Sequence, residues 1–379
     1  MTHPVESVYV DGISNKPVKG SIRSLWRSRV LIFVSSAAEV AAMTTLAAKG
    51  FVLAGVTWLV DLADTTSPHN GTTVIVSADG YRYKPAGNNV PAGGTDGQAL
   101  VKNGSTAYAT RWANRREVLT SNLSLYVRKD GSDSNTGLTD DAAGAFLTIQ
   151  KAIDTAATID FAGLQVFIFV RAGTYAEALT LRQMVGGNPI LIGEDTDPCP
   201  GNVIISLTGN QTGFTLAVPQ FWAVRGFKIT HNGTGITSGG FGMNVTAGEV
   251  QIRNIDFSSF NSTSGLARHI NAAGSGVVST SGNYVISGGV GYHAVIGGNA
   301  ILATSSRTIT LSGTPAWGQR GWYMTSRGTF TAFNMNFVGS ATGARYLIDN
   351  KGFIKTNGGG ASYLPGNAAG STLEDGLYT

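Results

Sequence analysis

Residues 126–156, YVRKDGSDSNTGLTDDAAGAFLTIQKAIDTA, are the most informative segment of the chain for its architecture. A short strand at 125–127 leads into a loop of Gly, Asp, Ser and Asn at 130–137, and a helix is predicted to begin near Ala145. A helix this short cannot stand alone, so it needs a larger apolar surface to cover. Its apolar residues recur at helical spacing and form one stripe: Phe146, Ile149, Ile153 and Ala156.

The chain that follows supplies such a surface as short segments that alternate apolar and polar residues. Five segments share the form apolar-x-apolar, and their starts are 28, 29, 25 and 26 residues apart. This period predicts one rung of about three short strands, stacked into a β-solenoid with the helix as its cap. The regular spacing and the cap helix favour a solenoid over a β-sandwich. The side chains predicted to stack inside are Phe227, Ile229, Ile255, Phe257, Tyr284, Ile286, Ile309 and Leu311, and the fifth segment is Met335/Phe337.

The opening stretch also resembles a known family. Its pattern Y-V-x-x-D-G-S-D-S-N-x-G, followed by F-x-T-I-Q-K-A-I-D, is similar to the start of pectate-lyase-like right-handed β-helices, particularly those of bacteriophage tail spikes and tail fibres. The resemblance implies a mostly β protein: a right-handed parallel β-helix with an N-terminal cap helix, preceded by a small α+β virion-attachment module. It leaves the chemistry open, because this superfamily includes lyases, hydrolases and inert binding proteins.

Four domains are predicted along the chain. Residues 1–85 form an N-terminal arm and a small α+β module that resembles virion-proximal domains of tail spikes; 86–122 form a Gly/Pro-rich neck linker; 123–357 form the β-helix; and 358–379 form a Gly-rich C-terminal tip. Within the first domain, the sequence predicts a helix at 36–49, one buried strand at 51–61, and a hairpin of 72–76 with 81–84.

Composition limits the class of protein. Glycine makes up 51 of 379 residues and charged residues only 13%, which is typical of tight turns and stacked backbone. Cys199 is the only cysteine, so no intramolecular disulfide can form, consistent with assembly in a reducing cytoplasm. Residues 1–20 show no signal peptide, and the longest apolar runs are too short to span a bilayer. The formal charge of +4 is modest, so neither nucleic acid nor membrane is an expected partner.

Catalysis would need carboxylates, and the rungs carry few. Between residues 198 and 348 only Glu249 and Asp256 are acidic, which makes them the weak candidate pair for a glycosidase. The favoured interpretation is that both lie on the surface and pair with Arg253 or Arg225. A lyase that uses Ca²⁺ would need an acid cluster that the rungs lack.

No metal or cofactor is predicted. The acidic group Glu194, Asp195 and Asp197 is interpreted as a solvated loop. The remaining candidate ligands lie on different rungs, do not have the spacing of a metal site, and are interpreted as surface residues beside turns: His231, His269 and His293.

Binding is better supported than catalysis. Between residues 198 and 348 the sequence contains eight Arg and Lys residues and only those two acids, and this excess of positive charge favours an anionic partner. The segment PAWGQRGWYM at 315–324 gathers rings that could stack on sugars and an arginine that could donate hydrogen bonds. Its candidate glycan-binding residues are Trp317, Arg320, Trp322 and Tyr323. The alternative is that these tryptophans pack between protomers.

The resemblance thus predicts a phage tail spike or tail fibre component of the virion tail, made in the host cytoplasm. It implies a homotrimer that docks on a tail or baseplate protein by its N-terminus and binds host surface polysaccharide or lipopolysaccharide by its β-helix. Two alternatives stay open: a polysaccharide depolymerase on the same fold, with a site that could form between protomers, and a purely structural tail component.

Overall fold

In a computed structural model, the chain forms two compact units that divide between Arg115 and Arg116. The predicted neck, 86–122, contains this division. The residues that the structure describes are 9–10, 17–18, 32–34, 50–53, 56–60, 75–76, 82–85, 95, 98–102, 110–262 and 264–379.

The first unit contains a five-stranded sheet. The order is Ile32–Val34, Gly50–Leu53, Val56–Val60, Arg82–Pro85 and Ile75–Val76; the first two strands are parallel and the other neighbours antiparallel. Two further antiparallel pairs join Tyr9–Val10 to Pro17–Val18 and Gln98–Lys102 to Thr110–Asn114.

Two predictions for this unit can be compared with the sheet. The hairpin is confirmed, since Ile75–Val76 pairs with Arg82–Pro85. The single strand at 51–61 is wrong: two strands pair antiparallel there, with Leu53 opposite Val56. The sequence signal for this reversal is Gly55, because tight hairpin connections favour glycine. The helix predicted at 36–49 lies outside the described residues.

The second unit is a parallel β-solenoid of the right-handed type with about seven turns. Sheet 1 contains Leu123–Val127, Val166–Val170, Ile190–Ile192, Phe221–Arg225, Glu249–Arg253, Val277–Thr280, Ile301–Ser305, Thr329–Phe333, Phe353–Lys355 and Leu377–Tyr378. Sheet 2 contains Gly173–Tyr175, Val203–Leu207, Lys228–His231, Asp256–Phe257, Tyr284–Ile286, Thr308–Leu311 and Asn336–Val338. Sheet 3 contains Leu179–Thr180, Thr212–Leu216, Gly240–Val245, Ala267–Ala272, Val290–Ile296, Ala316–Met324, Thr342–Ile348 and Ser371–Thr372. A short parallel pair, Glu117–Val118 with Ile159–Asp160, lies outside these sheets.

The solenoid interior is filled by columns of apolar side chains that repeat from rung to rung. Ile229 pairs with Phe257, Phe257 with Ile286, and Ile286 with Leu311. All eight side chains predicted to point inward are buried. Each such side chain contributes roughly 1.5–3 kcal/mol by leaving water, so the columns hold neighbouring rungs together.

The fifth repeat differs from its predicted alignment. Ile309 pairs with Phe337, not with Met335, so the last rung step is two residues longer than the sequence comparison suggests. The turn before this strand keeps its length, because Ser305 pairs with Phe333 and Thr308 with Asn336. The added residues lie between sheets 2 and 3, where the step from Ile309 to Arg320 is 11 residues and the paired step from Tyr284 to Tyr292 is 8.

Helix α1, Ile149–Ala156, is the one helix among the described residues of this unit. It begins at Ile149 rather than near Ala145, because Thr148 is extended and its hydroxyl accepts a hydrogen bond from the Lys151 N–H. Asp133 holds this start, since its carboxylate accepts from the Thr148 N–H and hydroxyl. The helix buries its apolar stripe and contacts the strands Leu123–Val127, Val166–Val170 and Leu179–Thr180. Its role as a cap stays a prediction.

The parallel ladders continue beyond residue 357, where the β-helix is predicted to end. Ser371–Thr372 pairs with Thr342–Ile348 in sheet 3, and Leu377–Tyr378 pairs with Phe353–Lys355 in sheet 1. The Gly-rich segment therefore adds strands to the same sheets.

Candidate functional site

The two tryptophans predicted to bind glycan lie inside the solenoid. Trp322 has no exposed surface and Trp317 is 4% exposed. Trp322 stacks on Phe330 with ring centroids 6.1 Å apart, and the Trp317 indole N–H donates to the carbonyl of Pro365 at 3.1 Å. This corrects the prediction for both residues, because a buried ring cannot stack on a sugar. They also pack within one chain's own core, which differs from the alternative of packing between protomers.

A β-bulge explains why sequence alternation misplaces them. Side chains alternate between the faces of a strand, so residues 317 and 322 should lie on opposite faces. The pairing of Ala316–Met324 with Thr342–Ile348 is irregular between Ala316 and Arg320, and this shift changes the phase. Both tryptophans therefore point inward.

The other two candidates, Arg320 and Tyr323, lie half-exposed on the outer face of sheet 3. There they join residues of earlier rungs that sequence reasoning did not select: Phe241 pairs with Arg268, Arg268 with Tyr292, and Tyr292 with Arg320. We call the five half-exposed side chains the sheet 3 surface: Phe241, Arg268, Tyr292, Arg320 and Tyr323. Their strand-to-strand spacing is about 4.8 Å.

The rings and guanidinium groups of the sheet 3 surface contact one another. The Arg268 guanidinium lies over the Phe241 ring, 5.2 Å from its centroid, and Tyr292 stacks on Tyr323 with centroids 5.5 Å apart. Such cation–π and ring contacts fix the side chains in place before any ligand arrives. The surface is therefore preorganised, with ring faces and guanidinium edges in alternation.

Hydrogen bonds also hold this surface. Arg268 Nη1 donates to Asn271 Oδ1 at 2.5 Å, and Asn271 Nδ2 donates to Asn244 Oδ1 at 2.7 Å on the preceding rung. The Tyr323 hydroxyl donates to Asp349 Oδ2 at 2.9 Å. Partial burial lowers the pKa of Arg268 below its ordinary value, although an arginine still carries its charge at neutral pH.

Positive charge on the sheet 3 surface is not neutralised by the described residues. No ion pair in the described part of the chain includes Arg268 or Arg320. The Nε atom of Arg320 is also buried without a hydrogen-bond partner there. The solvent-facing N–H groups of these guanidinium groups, unlike the buried Nε, could donate to an anionic or hydroxyl-rich ligand.

The structure does not bring Glu249 and Asp256 together. Glu249 opens a strand of sheet 1 and accepts a hydrogen bond from the Ser279 hydroxyl. Asp256 opens a strand of sheet 2, where it accepts from Ser287 Oγ at 2.6 Å and lies 3.7 Å from Lys228 Nζ. Glu249 is four residues, about 13 Å, from Arg253, where its strand ends before the turn to Asp256. The two carboxyl groups of a glycosidase lie roughly 5–9.5 Å apart, so this geometry does not favour a catalytic pair.

The segment 194–202, here called the strap, folds across later rungs instead of extending into solvent. Asp195 accepts hydrogen bonds from Arg253, with Nε–Oδ1 of 2.9 Å, and from Asn254 at 2.8 Å. Asp197 accepts from Asn283 Nδ2 at 2.6 Å. The interpretation as a solvated loop is therefore wrong for Asp195, whose side chain is 13% exposed, whereas Asp197 is exposed to solvent. Arg253, predicted to pair with Glu249 or Asp256, pairs with Asp195.

All three rung histidines are buried, so their placement on the surface is also wrong. His269 Nε2 lies 3.0 Å from the Ser258 carbonyl, and the Nδ1 atoms of His269 and His293 lie 3.1 Å apart. The Tyr284 hydroxyl lies 3.1 Å from His293 Nε2. Burial lowers the pKa of His269 to about 3 and the pKa of His293 well below its ordinary range. His269, His293 and Tyr284 thus form a neutral polar chain inside the core, closed to ligands.

Two further observations limit the site. Among the described residues, no group of three or more His, Cys, Asp or Glu side chains is placed to hold a metal ion. The same residues contain no helix long and apolar enough to cross a bilayer.

Comparisons with protein-family models, curated proteins and solved structures gave no match for this chain. Function therefore has to be inferred from the chain's own residues and their geometry.

Proposed function

We propose that this protein is a component of a phage tail spike or tail fibre that binds a host cell-surface glycan through the sheet 3 surface. The observation that carries the proposal is the outward ladder of Phe241, Arg268, Tyr292, Arg320 and Tyr323. Sugars present apolar C–H faces that stack on rings, and their hydroxyl and acidic groups accept hydrogen bonds from arginine.

The proposed place in a virion tail has a different support. It depends on the resemblance of the opening stretch, residues 126–156, to tail spike and tail fibre β-helices. A parallel solenoid is compatible with that class, and the class implies a homotrimer attached to the tail or baseplate by its N-terminal residues. In this proposal the solenoid acts as the receptor-binding part of the virion.

Binding without cleavage is the form of the proposal that the contacts favour. The only two acids between residues 198 and 348, Glu249 and Asp256, lie in different sheets and have separate partners. The sheet 3 surface itself contains no carboxylate. A depolymerase remains the alternative, with a site assembled between protomers.

The experiment is a binding assay of the full chain on purified surface polysaccharides from a panel of bacteria, with the chain length of the polysaccharide followed in parallel. The variants Tyr292→Ala and Arg268→Ala should each weaken binding about fivefold to tenfold, because each removes a contact worth about 1 kcal/mol. Phe353→Ala is the matched control, since Phe353 is a half-buried aromatic on the outer face of sheet 1.

Three outcomes decide between the functions. Retention on a polysaccharide that is weakened by the sheet 3 variants and not by Phe353→Ala supports the proposal. Equal weakening by all three variants contradicts a site on sheet 3. Shortened chains would establish a depolymerase, and Glu249→Gln and Asp256→Asn would then test whether those acids take part.

A further inference from the structure

A groove of about 300 Å³ lies along the turns that lead from sheet 3 to sheet 1. Three successive rungs contribute to it, and two of them supply cations. Its lining residues are Gly298, Asn299, Ser326, Arg327, Asn350 and Lys351. This volume is at the lower end of the range for small-molecule sites.

Arg327 and Lys351 occupy left-handed backbone conformations that disfavour residues with a Cβ. Ser326 and Arg327 have φ of 50° and 66°, and Asn350 and Lys351 have φ of 43° and 61°. Two consecutive positive φ values are typical of tight turns whose second position favours glycine. Side chains with a Cβ are strained there, and strained residues cluster at functional sites. Arginine and lysine thus stand where glycine would be more stable.

Both charged groups are free to bind a ligand. Within the described residues, no hydrogen bond or ion pair engages the side chain of Arg327 or of Lys351. The groove walls add the Asn350 amide, which donates to Ser326 Oγ at 3.1 Å, and the Asn299 amide. The lining contains no carboxylate; Glu374 and Asp375 occupy the equivalent turn of the next rung, outside it.

One hydrogen bond links a residue of the sheet 3 surface to the chain segment that forms the groove wall. Tyr323, near the end of the strand Ala316–Met324, donates to Asp349, the residue before Asn350 of the groove wall. Asp349 is thereby drawn toward the tyrosine. A ligand whose ring lies on Tyr323 would meet the groove cations within the next turn.

We infer that this groove binds an oxyanion carried by a sugar, in the first place the carboxylate of an acidic saccharide, between Arg327 and Lys351. Arginine offers a fork that matches a carboxylate or phosphate bidentately, and lysine adds a compact charge from the next rung. The groove is separate from the sheet 3 surface, and together they would recognise an acidic glycan by its ring faces and its charge.

The test replaces the two strained residues by glycine. In the full chain, the double variant Arg327→Gly/Lys351→Gly removes both cations and relieves both strained positions. It should raise the melting temperature while it weakens binding of a galacturonic acid trisaccharide tenfold or more. The control Asp375→Gly relieves the same strain in the next turn, so it should also raise the melting temperature but should not weaken binding.

Titration calorimetry at low salt with three probes identifies the ligand chemistry. Tighter binding of the galacturonate trisaccharide than of a neutral galactose trisaccharide, lost in the double variant, supports the inference. Tighter binding of galactose 6-phosphate, lost in the same variant, supports the oxyanion site and assigns it to a sugar phosphate. Equal affinity for acidic and neutral probes, or unchanged affinity in the double variant, overturns it. Galactose 6-phosphate also separates the groove proposal from the sheet 3 proposal. Its affinity should be unchanged in Tyr292→Ala, because it binds in the groove, and this result would hold even if the sheet 3 surface binds no polysaccharide.

Discussion

The Nδ1 atoms of His269 and His293 lie 3.1 Å apart, and only one arrangement of protons satisfies both rings. The Ser258 carbonyl can only accept, so His269 Nε2 carries its proton and His269 Nδ1 is left as an acceptor. His293 Nδ1 then donates to it, and His293 Nε2 accepts from the Tyr284 hydroxyl. Every group in this chain is satisfied while both imidazoles are neutral. Protonation of His269 at Nδ1 would break a hydrogen bond inside the core, because two N–H donors would then face each other.

Acid should therefore destabilise the solenoid. The pKa of His269 is lowered by burial to about 3, so between pH 6.5 and 3 the unfolded chain binds a proton that the folded chain does not. The contribution of neutral His269 to the free energy of unfolding is fully present above pH 6.5 and is lost as the pH falls. At pH 4.5 the loss amounts to about 3 kcal/mol from His269 alone, and His293 adds in the same direction. Urea unfolding at pH 7.5 and 4.5 measures it. The variant His269→Leu/His293→Leu should show a smaller difference between the two pH values; an equal difference would assign the acid effect to carboxylates.

Trp322→Ala should destabilise the protein much more than Tyr323→Ala. Trp322 is fully buried and stacks on Phe330, so its truncation leaves a cavity and should cost about 3–5 kcal/mol. Tyr323 loses one ring contact and one hydrogen bond to Asp349, about 1 kcal/mol. Thermal or urea unfolding distinguishes them. Similar losses for the two variants would contradict the inward placement of Trp322.

Asp195→Asn should loosen the strap. The Asp195 side chain is 13% exposed and accepts from both Arg253 and Asn254, so loss of its charge should cost about 2 kcal/mol in the free energy of unfolding. Asp154→Asn is the matched control: Asp154 pairs with Arg182, but both side chains are about half exposed, and water screens the pair to less than about 1 kcal/mol. Equal losses would show that the strap contributes no more than an ordinary surface ion pair.

Gly226→Ala should be far more damaging than Gly209→Ala. Both glycines have positive φ, 73° and 57°, so each alanine carries about 1 kcal/mol of backbone strain. A Cβ on Gly226 would also lie 2.3 Å from the backbone carbon of Glu194, at the start of the strap, whereas a Cβ on Gly209 would meet nothing within 4 Å. The expected loss at Gly226 is about 3 kcal/mol or more, measured by urea unfolding. A Gly226→Ala variant as stable as Gly209→Ala would mean that the strap moves away freely.

The sequence predicted the interior of the solenoid well because burial imposes a strict period. The column Ile229, Phe257, Ile286 and Leu311 follows from that period alone. Trp317 was misplaced because a single irregular pairing reverses the alternation that the prediction used. The outer face is harder still, since its partly buried residues follow no strict period. Arg320 was found through its neighbours in sequence, and Arg268 was missed as a site residue because the rings beside it, Phe241 and Tyr292, lie on neighbouring rungs. Asp195 and Arg253 are 58 residues apart, and no local signal joins them.

The parallel ladders allow the solenoid to differ in length by whole rungs. In the backbone ladders each strand pairs only with the strand of the rung before it and the strand of the rung after it, so this pairing does not depend on how many rungs lie farther along. Removing or duplicating one whole repeat, such as the 28 residues from Ile229 to Asp256, would rejoin equivalent positions, whereas one residue inserted within a strand would turn the side chains of the rest of that strand to the opposite face. Variation in the length of the solenoid is therefore expected to come in whole rungs, and each added rung would carry any outward-facing surface about 4.8 Å farther from the first strand of sheet 1, Leu123–Val127.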